Sequence, residues 1–315
     1  MKTALRIAGI VFTILFVLFA FSKVDWQTFV GTLSSLQYGW VIVAAAFLAA
    51  SMFFRSLRWY LVTGLPRQAL PKVWKASCAG YLGIIYPARA GEVLRMLRLH
   101  QLTGLSGGLA VGTAVVDRIL DGLSLCGMLL LLLTLWHGGL AAQNGLVLIA
   151  LLFIAVTFGM IAFVVSGHRL KNLFQRLASL GKTGARVYHW YEGSLAGLQV
   201  LRSPQRIAVT LACQVAVSLF DIAVCWALIQ AFGWDIHFMA SVAVLVYLTA
   251  ALSLPSTPGY VGIYQTAAIF SLQPFNINNS EAVAYGSVLQ VLTLILFIGC
   301  GVWAMGDKAG IHGAR

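Results

Sequence analysis

The sequence predicts an all-α polytopic membrane protein of about six transmembrane helices plus two oppositely oriented re-entrant helical hairpins, with eight spans as the alternative count. Three observations carry this. Hydrophobic residues make up 60% of the 315-residue chain and charged residues 10%, with a mean hydropathy of +0.89, far outside the soluble range. The basic residues collect in segments that alternate spans assign to one side, the pattern of cytoplasmic loops. Two apolar stretches are too short to cross a bilayer and are broken by proline and glycine.

In chain order, Leu5 to Phe21 forms a first span preceded by Lys2 and Arg6, read as a retained anchor with a cytoplasmic N-terminus. Trp26 and Tyr38 to Trp40 supply interfacial aromatics, and Val41 to Leu61 crosses back, ending in Arg55, Arg58, Trp59 and Tyr60. From Val73 to Tyr86 runs an apolar stretch of about fourteen residues, against the roughly 20 that a crossing needs. Pro87 and Gly91 break it, so it reads as a hairpin that enters and leaves on one side.

Ser106 to Trp136 is the third span, Gly145 to Val165 the fourth and Ile207 to Ala231 the fifth, the last interrupted by Asp221. Phe238 to Leu254, the turn Pro255-Ser-Thr-Pro258-Gly259-Tyr-Val-Gly262 and Ile263 to Leu272 make a second broken element, and Ala282 to Met305 the final span. Of all lysines and arginines, only Lys23 falls outside and only Arg118 within a span, which places both termini in the cytoplasm.

The whole of 1–315 is read as one integral membrane domain. Its longest polar piece, 167–206, is too short for an independent core, and its leucines recur opposite basic residues as in an amphipathic helix on an anionic membrane surface. A net charge of +12 is thereby assigned to lipid head groups and topology, not to nucleic acid. The five cysteines lie in apolar segments with no CxxC spacing and the histidines are scattered singly, so neither a metal site nor a cofactor is expected.

The two broken elements echo each other, Pro87-x-x-x-Gly91 against Pro255-x-x-x-Gly259, and each precedes a span carrying a polar residue, Asp117 or Gln290. Opposite entry with weak internal similarity is the mark of an inverted repeat around a substrate site. The charged candidates are Arg89, Glu92 and Arg95 on one helix face after the first turn, Asp117, Arg118 and Asp121 in the third span, and Asp221 in the fifth. Charges at that depth cost about 2.5 to 3.5 kcal/mol each. Asp121 can neutralise Arg118, Asp221 needs a partner from elsewhere, with Arg118 or the hairpin arginines as candidates, and arginine's planar fork suits phosphate.

Tyr86-Pro-Ala-Arg-Ala-Gly-Glu-Val-Leu-Arg95, Val116-Asp-Arg-Ile-Leu-Asp121 and Ser253-Leu-Pro-Ser-Thr-Pro-Gly-Tyr-Val-Gly262 resemble the signatures of the lysylphosphatidylglycerol synthase transmembrane family. The resemblance runs from about residue 5 to 305. It implies an integral membrane protein that handles lipids, with phospholipid flipping as the activity and with Pro87, Gly91, Pro255, Pro258, Gly259, Gly262 and Gln265 at the substrate site beside the charged residues. Some members carry glutamate where this chain has Gln265.

The expected function is therefore a non-enzymatic translocase in the cytoplasmic membrane for an anionic phospholipid or a polyprenyl or hopanoid lipid. Its alternatives are an accessory or scaffold protein for lipid or glycan synthesis, and a membrane-embedded lipid transferase. A homo-oligomer and a synthesis-enzyme partner both remain open. Against the transferase, the chain has no DxD or DDxxD pair.

Overall fold

The computed structural model describes residues 24–85, 90–135, 153–159, 203–253 and 258–306, with a few isolated positions besides. Among them every regular element is a helix. Four are long and apolar enough to cross a bilayer: Tyr38–Thr63, Gly107–Leu135, Pro204–Ala231 and Asn279–Gly306. In chain order the helices are α1 (Trp26–Ser34), α2 (Tyr38–Thr63), α3 (Leu70–Tyr81), α4 (Ala90–Thr103), α5 (Gly107–Leu135), α6 (Pro204–Ala231), α7 (Met239–Ala251), α8 (Ile263–Leu272) and α9 (Asn279–Gly306). The expected first span, most of the fourth and nearly all of 167–206 lie outside the described residues, as do Pro87, Arg89 and Pro255.

The long helices are apolar on nearly every face and keep side chains such as Leu130, Val215, Leu219, Ile295 and Val302 exposed. A helix can do this only where lipid replaces water. The short ones behave differently. Helix α7 has 13 residues, about 20 Å at 1.5 Å per residue, and α8 has 10. Neither crosses a core of about 30 Å, and both are buried along most of their length. They form the second broken element, and α3 and α4 form the first.

At the first break α3 gives way to a 3-10 turn, Leu82–Ile85, and α4 begins at Ala90. The two arms lie so close that a Cβ on Gly91 would stand 2.4 Å from the Gly80 carbonyl oxygen, and one on Gly80 2.7 Å from the Arg95 Cβ. At the second break Gly259 and Gly262 take φ of 76° and 85°, a left-handed backbone that glycine adopts without penalty. The two 3-10 turns, Leu82–Ile85 and Pro258–Tyr260, pack against each other.

Helix α9 touches both hairpins through glycines. A Cβ on Gly286 would meet the Tyr264 carbonyl oxygen at 2.7 Å, and one on Gly301 the Leu82 Cγ at 2.3 Å. The end of α9 is further held by the first hairpin, where the buried Arg98 donates to the Ala304 carbonyl and Lys75 sits over the Trp303 ring. Cations beside the carbonyl end of a helix are favourable. Helices α2 and α6 pack along most of their length.

Trp26 opens α1, which Asp25 caps by accepting from the Gln27 and Thr28 N–H groups. One sequence reading changes. Arg58 does not flank a span in a cytoplasmic loop. Helix α2 continues past it to Thr63, and Arg58 is 3% exposed.

Candidate functional site

The charged residues of α2, α4 and α5 close into a ring of alternating sign. Arg58 Nη2 lies 3.1 Å from Asp117 Oδ1, and Asp117 Oδ2 lies 3.0 Å from Arg95 Nη2. Arg95 Nη2 is 3.0 Å from Glu92 Oε2, and Glu92 Oε1 pairs with Arg118. Arg118 Nη1 is 3.8 Å from Asp121 Oδ2, and Asp121 Oδ1 returns to Arg58 Nη1 at 2.8 Å. Helical spacing explains why so few elements suffice. Asp117 and Asp121 are one turn apart on α5, and Glu92 and Arg95 share a face of α4.

The ring is graded in burial. The Asp117 and Arg58 side chains are 2% and 3% exposed, whereas Arg118 is 40% exposed. Around its buried end, Gln214 of α6 accepts from Arg58, the Arg95 guanidinium sits 4.7 Å from the Trp59 ring centroid, and the Trp59 indole N–H donates to the Thr113 hydroxyl at 3.1 Å. A separate pair joins α2 to α6. Arg55 Nη2 is 2.5 Å from Asp221 Oδ2, and the Ser51 hydroxyl donates to Asp221 Oδ1.

Three guanidiniums and three carboxylates cancel in formal charge, which is how such a set tolerates burial. Any one of them left alone at that depth would cost several kcal/mol. The Asp221 partner is thus Arg55, not Arg118 or a hairpin arginine as its position in the sequence suggested. The closer partner of Arg118 is Glu92, with Asp121 at the margin. Arg95, Glu92, Asp117, Arg118 and Asp121 come together; Asp221 stands in the neighbouring pair.

Arg58 and Arg55 were missed because Trp59 and Tyr60 beside them imitate an interfacial belt. The overlooked signal was Leu61 and Val62, apolar residues that extend the span beyond both arginines.

The second turn is fixed by amides. The Gln265 side-chain oxygen accepts from the Gly262 N–H at 2.9 Å, and its amide group donates to Gln290 Oε1 at 2.8 Å and to Ser287 Oγ at 3.1 Å. Gln290 in turn donates to the Gly259 carbonyl at 2.6 Å. Gln265 and Gln290 are both buried, so all four groups are satisfied inside the protein, as burial requires. Gln265, Gly259 and Gly262 therefore act here as a clasp on the turn. Pro258 opens that turn, and Gly91 lets the arms of the first hairpin touch.

Apolar spanning helices around a charge-neutral polar centre, with two short broken hairpins meeting beside it, define a multi-pass membrane protein. Residues 6–301 match the lysylphosphatidylglycerol synthase TM region, and the chain belongs to that family. No curated protein and no solved structure matches it.

Proposed function

We propose that the protein is a lipid translocase, a flippase that moves an anionic or phosphate-bearing lipid across the cytoplasmic membrane without altering it chemically. The observation that carries this reading is the ring, with Arg118 partly exposed at one edge and Asp117 sealed at the other. Arg118 lies about 16 Å into α5, where a guanidinium that remains charged needs anionic partners or an aqueous cavity.

A lipid phosphate arriving at Arg118 replaces the Glu92 or Asp121 carboxylate on a bidentate fork. The released carboxylate falls back on Arg95 or Arg58, which already contact it. The charge of each guanidinium stays compensated throughout, so the exchange needs no bare ion. The two broken elements act as re-entrant hairpins that alternate access to this centre. The exposed Arg67 and Lys72, together with the basic residues of 167–206, support a cytoplasmic position for that side and for both termini. Arg58 and Arg95, neutralised inside, carry no weight in that orientation.

The test is leaflet exchange of labelled phospholipid in liposomes holding the purified protein. Arg118→Lys keeps the charge and loses the fork. Exchange should fall about tenfold or more, the equivalent of roughly 1.4 kcal/mol, with thermal unfolding unchanged. Wild-type exchange by Arg118→Lys, together with a lowered melting temperature for Arg118→Met, would overturn the role and leave Arg118 a helix staple.

A further inference from the structure

The opposite face of α2 carries something the ring does not use. Phe53, Ser56 and Leu57 of α2 and Leu70, Pro71 and Trp74 of α3 line a groove with a volume of about 280 Å³. Phe53 and Trp74 close one part of it, their ring centroids 6.1 Å apart. Among the described lining residues only Ser56 and the Trp74 indole carry a polar side-chain group, and the Ser56 hydroxyl already donates to the Met52 carbonyl. Water entering would find too few partners to hold it, and apolar spaces of this kind take apolar guests.

The other end of the groove lies at the start of α3, where the chain turns from α2 through Gly64 and the 3-10 turn Arg67–Ala69. The chain there is basic. Arg67 and Lys72 are exposed and flank the lining residues Leu70 and Pro71 in sequence, the first turn of α3 adds its helix dipole, and the sequence holds no acidic residue between Asp25 and Glu92.

We propose that this groove is a binding site for an anionic phospholipid of the surrounding bilayer, one acyl chain lying along the groove against Leu57, Leu70 and Trp74 and the phosphate resting on Arg67 and Lys72. The apolar lining fixes the class of the buried part and the basic residues beside it the class of the head group. Each basic side chain near the head group favours an anionic over a neutral lipid by about fivefold before screening. The site stands apart from the ring, because Arg55 and Arg58 face α6 and α5. It needs no transport to be occupied.

The experiment uses the full chain in phosphatidylcholine bilayers containing phosphatidylglycerol, with one or the other lipid brominated in its tails. The Trp74 contribution to fluorescence is the difference between wild type and Trp74→Phe. Brominated phosphatidylglycerol should quench that contribution with an apparent affinity about tenfold above brominated phosphatidylcholine. Arg67→Gln with Lys72→Gln should erase the preference while quenching at high lipid fraction persists. The same pair of variants should lose co-purified phosphatidylglycerol in native mass spectrometry, a measurement that does not depend on Trp74→Phe folding. Equal quenching by the two lipids would reduce the groove to ordinary lipid contact, and no quenching would show it closed to acyl chains; either outcome overturns the proposal. Both are read at equilibrium, so they leave the leaflet-exchange result of Arg118→Lys untouched.

Discussion

Asp117→Asn is the sharpest test of whether the ring is a coupled unit. Asp117 bridges Arg58 and Arg95 at 3.1 and 3.0 Å, and its side chain is 2% exposed. The substitution keeps the shape but leaves the ring with three guanidiniums and two carboxylates, one positive charge in excess at a buried position. Removing one partner of a buried pair costs about 3–5 kcal/mol, a large share of a typical stability of 5–15 kcal/mol. Arg95→Met alone should cost a similar amount for the opposite reason. The double variant restores balance, since Arg58 keeps Asp121 and Arg118 keeps Glu92. The double variant should therefore lose less than the two single losses added together, by about 2 kcal/mol, a coupling within the range found for contacting residues. Unfolding can be followed with a thiol-reactive dye, because Cys78, Cys213 and Cys225 are free and buried. If the two losses simply add in the double variant, the ring is a set of independent contacts and the reasoning fails. Arg118→Met, at the exposed edge, should cost no more than about 1 kcal/mol in the same assay.

Three further outcomes are expected. Gly91→Ala puts a methyl 2.4 Å from the Gly80 carbonyl oxygen and 3.2 Å from the Gly83 Cα; because these are backbone atoms, the arms must separate, at a cost of about 1–3 kcal/mol, read as a lower melting temperature. Gln265→Ala strands the Gly262 N–H and one Gln290 oxygen, each worth about 1–3 kcal/mol when buried, and should raise hydrogen exchange at 258–266 before it affects α2. The Thr28 hydroxyl and the Gln27 N–H hold the Asp25 carboxyl below its ordinary value of 3.8, so its contribution to stability is complete above that pH and disappears as pH falls through the lowered value; the difference between wild type and Asp25→Ala should shrink on acidification, and a constant difference would refute the cap.

Both broken elements were legible from the sequence because their apolar arms are shorter than a bilayer core and end in proline and glycine, a mismatch that needs no tertiary information. Asp117, Arg118 and Asp121 were legible for the same kind of reason: ionised groups in an apolar run stand out. Their partners were not. Arg55 meets Asp221 from 166 positions away and Arg58 meets Gln214 from 156, and only the packing of α2 on α6 creates those pairs. Helix α1 was hidden by its brevity, although Asp25 before Trp26 with apolar Phe29 and Leu33 to follow is a capped amphipathic turn. Gln265 was noticed for what it is not, a glutamate; its place in an amide clasp became visible only when Gln290 was found across from it.

The two glycine contacts of α9 make that helix a connecting rod. Gly286 seats against the second hairpin and Gly301 against the first, about 22 Å apart along one rigid axis. A helix does not stretch, so a displacement of either hairpin along that axis is handed to the other with its direction preserved. Arg98 and Lys75 clamp the far end, which removes slack at the first bearing, and Gln290 grips the second turn a single helical turn beyond Gly286. Any motion at one broken element would thus reach the other through a fixed length of backbone, with the phase between the two set by the fifteen residues from Gly286 to Gly301.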